Sequence, residues 1–318
     1  MLARRWRAAK SILARLPYSV GPFEVRSRLY WFMNQHTLFA RRPETFTGKV
    51  QWKLLKDRRP LLTIFADKVA VRDYVARVVG PEFLTECHAI VDDPLEIDRS
   101  TLPREYVAKA SHGCRGIWII GDLAPIGAPW RLGSGWNLVL CHPDELDWEL
   151  FTRSFRVWLG QNYARAFAPE WAYLHIPPRI LLEELLPGPD GDLPADFRFF
   201  VFHGRTRLIQ VGSGRRRERR VSLHLPDWTP IDAQATAGNR RYPPGPLTPP
   251  PRSLGRMVEV ADALGQDTDF VRVDLYDIAG RVVFGELTNY PGAGHAGFYP
   301  HSFDLTVSSW WTLPDRYQ

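Results

Sequence analysis

Apolar and polar positions along the chain predict strands and helices in alternation. The run LLTIFA at 61–66 reads as a strand. DKVAVRDYVARVV at 67–79 then has helical spacing, with Asp67 as a candidate N-cap. A short strand is expected at 87–91. EYVAKA at 105–110 leads through SHGCRG at 111–116 into the strand IWIIG. A strand, a tight glycine loop and a second strand predict a hairpin, unlike the strand-to-helix turn of a Walker A loop or a Rossmann fingerprint. Residues 143–166 read as helical, with Pro143 near the start, and PRILLEELL at 178–186 reads as a buried strand. The pair RFFVF and TRLIQV follows the turn PGPDGDLPAD. The region 213–251 reads as long loops around one or two strands. A helix at about 252–264 and two closing strands complete the pattern. No internal repeat is visible. The mixture predicts an α/β or α+β chain with much antiparallel sheet.

The closing strands, VRVDLY at 271–276 and FGEL at 284–287, carry the strongest chemical signal. Alternation puts Arg272 and Asp274 on one face, and Glu286 can project from the partner strand onto the same face. Two carboxylates beside a guanidinium suit a magnesium ion that shares its oxygen ligands with phosphates, and Arg272 suits a transferring phosphoryl group. A cross-strand salt bridge on a solvated face is the alternative, but the flanking Phe270, Val271, Val273, Leu275, Val283, Phe284 and Leu287 make that setting apolar. Lys109, ahead of a loop with Gly113 and Gly116, could reach a nucleotide phosphate that the loop amides cover. Glu183, Glu184 and Leu185, at the end of an apolar strand, could present backbone groups and a carboxylate to an adenine or ribose. Lys68 and Arg72, four apart on the expected helix, suggest a second phosphate contact or, more simply, a solvated basic face.

Composition changes this picture in few places. Among 41 basic residues only six are Lys, and none follows Lys109. In an Arg-rich chain, a Lys within an apolar stretch suggests a need for a compact ammonium. A formal charge of +6 favours anionic partners without choosing among them. Cys87, Cys114 and Cys141 lack metal spacing, so a reducing cytoplasm fits better than a disulfide framework. No apolar run is long enough to span a membrane. The basic N-terminal stretch reads as a leading helix that could also lie on an anionic membrane surface. The cluster RRRERR at 215–220 lacks an aromatic platform or a helix-turn-helix signal, so no nucleic acid is expected as a partner.

In order and spacing, PETFTGKVQW, ADKVAVRDYV, EYVAKASHGCRG, PPRILLEELL, DFRFFVFHG and VRVDLYDIAGRVVFGELTNYPGAG resemble the TupA-like ATP-grasp family, which is linked to cell-surface polymer and peptide synthesis. The resemblance covers about 45–310. It implies an ATP-grasp fold with two α+β subdomains gripping ATP and a smaller N-terminal α/β domain. The expected division is an extension at 1–42, a region preceding the grip at 43–104, a small subdomain at 105–182 and a large one at 183–312. It implies ATP phosphate contacts from Lys68 and Lys109, with Ser111, His112, Gly113 and Gly116 closing over them. It implies an adenine site at Glu183, Glu184 and Leu185 and a basic ATP contact from Arg198. It also implies Mg²⁺ ligation by Asp274 and Glu286, with Thr288 where many ATP-grasp enzymes have Asn; Asn289 should face the other way. Arg272 would steady an acyl-phosphate, formed from a substrate carboxylate and ATP and then attacked by an amine. The acid and amine, free or glycan-linked, are not identified, though the Arg-rich run hints at an acidic one. A kinase or a non-ligating ATP-binding protein is the competing expectation.

Overall fold

The computed structural model describes residues 43–127, 136–166, 170–188, 191–213 and 219–317. The expected N-terminal extension and Arg215, Arg216, Arg217 and Glu218 of the basic run lie outside them. The described elements begin with α1 (Phe46–Lys56), α2 (Pro60–Ala66), α3 (Ala70–Val78) and β1 (Cys87–Val91). They continue with β2 (Tyr106–Ala110), β3 (Ile117–Ile120), β4 (Leu138–Cys141), α4 (Trp148–Leu159) and β5 (Ile180–Glu184). Next come β6 (Asp196–Phe202), β7 (Arg205–Ser213), β8 (Arg220–His224), β9 (Gln234–Ala237) and β10 (Arg240–Arg241). The chain closes with α5 (Leu254–Leu264), β11 (Phe270–Ile278), β12 (Arg281–Thr288), β13 (Ala296–Tyr299) and α6 (His301–Ser309).

Two five-stranded sheets organise these elements. The first has the order β1-β5-β2-β3-β4, antiparallel except for β3 with β4. Even-numbered residues of β2 and β5 (Tyr106, Ala108, Ala110, Ile180, Leu182) pack with Trp118, Ile120 and Val139 against Phe151, Phe155 and Trp158 of α4. Their odd neighbours, Lys109 and Glu183 among them, are left for the opposite face. The second sheet, β12-β11-β6-β7-β8, is antiparallel throughout and buried on both sides. Phe200, Phe202, Leu208 and Phe270 meet Phe46, Val50 and Leu54 of α1 together with Trp311. Phe199, Val201, Val271 and Val273 meet α3 and α5 through Val71, Val75, Met257 and Val260. A third, small sheet has the order β10-β9-β13.

Four local expectations need correction. Residues 61–66 are helical rather than extended: Pro60 occupies the first turn, and Leu62, Phe65 and Ala66 are the residues it buries. A six-residue apolar run carries no period that separates the two states. Asp67 ends α2 instead of capping α3; its Oδ1 accepts from the Val69 amide at 2.9 Å, and α3 starts with no side-chain cap. The stretch 143–166 is broken, with α4 ending at Gly160 before a separate helical turn, Tyr163–Ala166. The region 213–251 holds three strands, not one or two. None of the described helices is long and apolar enough to cross a membrane, and the three cysteines are unpaired.

Candidate active site

On the second sheet, one face of β11 reads Phe270, Arg272, Asp274: the first residue is core, and the next two replace core with charge. Register then builds two cross-strand rows. Arg198, Asp274 and Glu286 lie opposite one another, as do Phe200, Arg272 and Thr288. Arg272 donates Nε and Nη2 to the two Asp274 oxygens, both at 2.6 Å. Its Nη2 also reaches Glu286 Oε1 at 2.8 Å and Thr288 Oγ1 at 3.0 Å. The Thr288 hydroxyl donates to the same Glu286 oxygen at 2.9 Å. Arg198 lies 3.6 Å from Asp274 and 2.5 Å from Asp196, which Arg219 also binds at 2.7 Å.

The two carboxylates differ in character. Asp274 is buried, and that burial together with Glu286 pushes its pKa up to about 6 against the pull of Arg272. Glu286 keeps 56% of its side chain open to solvent. The low-dielectric surroundings work upward on it too, but Arg272, the Thr288 hydroxyl and Lys68 together hold it below the usual range. Among the described residues no group of three or more His, Cys, Asp or Glu is placed to hold a metal ion by itself. Two carboxylates and a hydroxyl fit Mg²⁺, which keeps water and phosphate oxygens as its other ligands. Asn289 faces away, as expected: its Nδ2 donates to the Leu62 carbonyl at 2.8 Å.

The first sheet supplies the opposite wall. Lys109 forms an ion pair with Glu183, whose other oxygen accepts from Thr85 at 2.6 Å and from Arg72 at 3.2 Å. Glu183 is buried, which alone would raise its pKa, but these partners depress it. Lys68 lies just ahead of α3 and donates to the Gly113 carbonyl; burial lowers its pKa. Lys68 senses the charges of Glu286 and Lys109, and Glu286 also acts on Cys114 in the glycine loop. The glycine loop and the carboxylate platform therefore lie within electrostatic reach of each other.

The expected residues have unequal roles in this arrangement. Lys68, Lys109, Glu183, Arg198, Arg272, Asp274, Glu286 and Thr288 converge. Ser111 is fully buried and locks the loop in place, its hydroxyl donating to the Pro177 carbonyl and accepting from the Arg179 amide, both at 2.9 Å. The His112 ring turns into the first lobe, bonded at 3.1 Å to the Trp158 and Gln161 carbonyls, so its side chain does not join the cleft. Glu184 forms a fork with Arg281 of the second sheet at 3.0 and 3.2 Å, and Leu185 follows the strand beside Gly121. Sequence reasoning missed Glu170, a buried carboxyl whose pKa burial and Glu286 push up to about 8. It also missed Trp136 beneath the glycine loop. Neither stands in a recognisable pattern. Arg72, whose solvated reading seemed simpler, is held on Glu183.

No curated protein matches the chain. Among solved structures, D-alanine–D-alanine ligase from Bacillus anthracis is 13% identical, with 73% of this chain and 60% of that one covered and a TM-score of 0.39. The enzyme of the same name from Helicobacter pylori is 12% identical, with 79% and 62% covered and a TM-score of 0.39. A RiPP-associated ATP-grasp ligase from Chryseobacterium gregarium, in complex with ADP and leader and core peptides, is 10% identical, with 82% and 64% covered and a TM-score of 0.37. The chain thus spans about three-fifths of the length of these structures. The family model described as TupA-like ATPgrasp matches residues 48–310, most of the sequence. The chain belongs to the TupA-like ATP-grasp family.

Proposed function

We propose that the protein is an ATP- and Mg²⁺-dependent carboxylate–amine ligase working through an acyl-phosphate, in the synthesis of a cell-surface polysaccharide or peptide-type polymer. The observation that carries this is the gathering of Lys68, Lys109 and a glycine loop within electrostatic reach of a platform made by Arg272, Asp274, Glu286 and Thr288. Asp274, Glu286 and Thr288 would hold Mg²⁺, which supplies positive charge to phosphate oxygens. The loop amides and the two lysines bind the phosphates. The end of β5 at Glu183, Glu184 and Leu185 lies beside the adenine, and Arg198 is a further contact to ATP.

A substrate carboxylate attacks the γ-phosphorus, ADP leaves, and Arg272 steadies the developing negative charge on the acyl-phosphate. The amine then attacks the acyl carbon and phosphate departs. Positioning and electrostatics do this work without a covalent enzyme intermediate. Family membership supports the ATP chemistry.

The test is phosphate release from ATP against a panel of carboxylates, with and without amines. Release that requires both classes of substrate and disappears in Lys109→Ala supports ligation. Transfer of phosphate to a hydroxyl, with no amine dependence, would instead make the protein a kinase.

A further inference from the structure

Glycines in a phosphate loop are usually explained by backbone freedom or by room for a ligand. Here the space beside Gly113 and Gly116 is already filled by protein. A Cβ at Gly113 would sit 2.5 Å from Cζ3 of Trp136, and one at Gly116 would sit 2.6 Å from its Cε3. Gly113 has no left-handed backbone, so the indole alone excludes a side chain there. Gly116 is constrained twice, since its φ is also +67°.

Trp136 is itself fixed. It is 4% exposed, and its Nε1 donates to Gln161 Oε1 at 3.0 Å. Its ring stacks on Trp158 with centroids 6.4 Å apart and meets Tyr163 edge-on at 5.5 Å. The His112 ring stands edge-on to the same indole at 4.9 Å, and its Nε2 lies 3.1 Å from both the Trp158 and Gln161 carbonyls. The start of the loop, its two glycines and the C-terminal end of α4 therefore form one packed unit around a single side chain.

We infer that Trp136 is a positioning residue for nucleotide binding: the Ser111–Gly116 backbone is moulded on its indole, which sets the direction of the amides that meet the phosphates. This rests on the ATP reading above. A backbone cast before the ligand arrives avoids the ordering cost that a floppy loop would incur on binding. His112 acts through the same stack, which explains a histidine in the motif whose side chain points away from the cleft.

The test is a mutant cycle read as the Kd for ATP with Mg²⁺ by calorimetry, with melting temperatures of the ligand-free proteins as a control for folding. Gly113→Ala is expected to weaken ATP binding by about 10- to 100-fold, the scale on which small misplacements act. The double variant Gly113→Ala/Trp136→Phe is expected to bind better than Gly113→Ala alone, because a phenyl ring lacks the outer atoms that the new methyl would strike. Gly116→Ala should not be rescued by Trp136→Phe, because its φ is strained independently. Additive losses in the double variant, with wild type binding ATP, overturn the inference alone. If wild type does not bind ATP, the ligase reading falls and this inference with it. If Gly113→Ala does not fold, Trp136→Phe alone decides: weaker binding at an unchanged melting temperature supports the role, and an unchanged Kd overturns it.

Discussion

The two walls of the cleft solve opposite problems. The platform on β11 and β12 concentrates charge. Arg272, Asp274, Glu286 and Thr288 share bonds of 2.6 to 3.0 Å on a sheet that also contributes much of the core. The glycine loop facing it is held by aromatic packing and backbone bonds, and the charges near it are paired: Lys109 on Glu183, Lys68 on the Gly113 carbonyl. A metal and transferring phosphate need dense charge held still, whereas a triphosphate needs a shaped backbone surface.

Substitutions should separate the two principles. Arg272→Ala strands the buried Asp274 carboxylate and should cost the most, about 3–5 kcal/mol in urea unfolding. A much smaller loss would mean the platform is solvated rather than buried. The root of β11 is anchored by Asp269, which accepts from Lys53 at 2.6 Å and from Trp311 at 2.7 Å. Although burial works upward on it, Lys53, Tyr317 and Trp311 pull its pKa down to about 2. Because the folded pKa lies below the unfolded one, this anchor contributes fully above pH ~4 and is lost as pH falls from there toward ~2, a change of about 2 kcal/mol. Comparing acid unfolding of wild type and Asp269→Asn isolates it; identical slopes in that window would remove the anchor from the account. On the loop side, Ser111→Ala leaves the Arg179 amide without its side-chain acceptor. It should cost about 1–2 kcal/mol and, as the loss of a neutral hydrogen bond, respond little to added salt. Arg281→Ala breaks the fork to Glu184 between the two sheets; with Arg281 45% exposed, the loss should be under about 1 kcal/mol. A larger loss would make this bridge a main tie between the walls.

The same contrast explains what could be read from the sequence. The platform was legible because strand alternation and a tight hairpin turn fix which side chains share a face, and its partners lie within 16 residues of one another. Lys109 and Glu183 could be singled out separately, but not as a pair, because they lie 74 positions apart in the sequence. Trp136 was invisible: an aromatic residue in a loop carries no period, and its relation to Gly113 exists only after the first sheet has formed. The helix at 60–66 was misread because burial on two sides of a short apolar run erases the amphipathic signal. His112 looked like a ligand contact because sequence shows a residue's place in a motif but not the direction of its ring.

The central claim is that one cleft binds ATP with Mg²⁺ between the glycine loop and Asp274. The most direct measurement is the thermal stability of wild type and Asp274→Asn, each with ATP in the presence and absence of Mg²⁺. Ligand at 100 times its Kd should stabilise wild type by about 2.7 kcal/mol, and the Mg²⁺-dependent part of that gain should vanish in Asp274→Asn. A folded wild type that shows no shift, or a Mg²⁺-dependent shift that survives the substitution intact, would contradict the account.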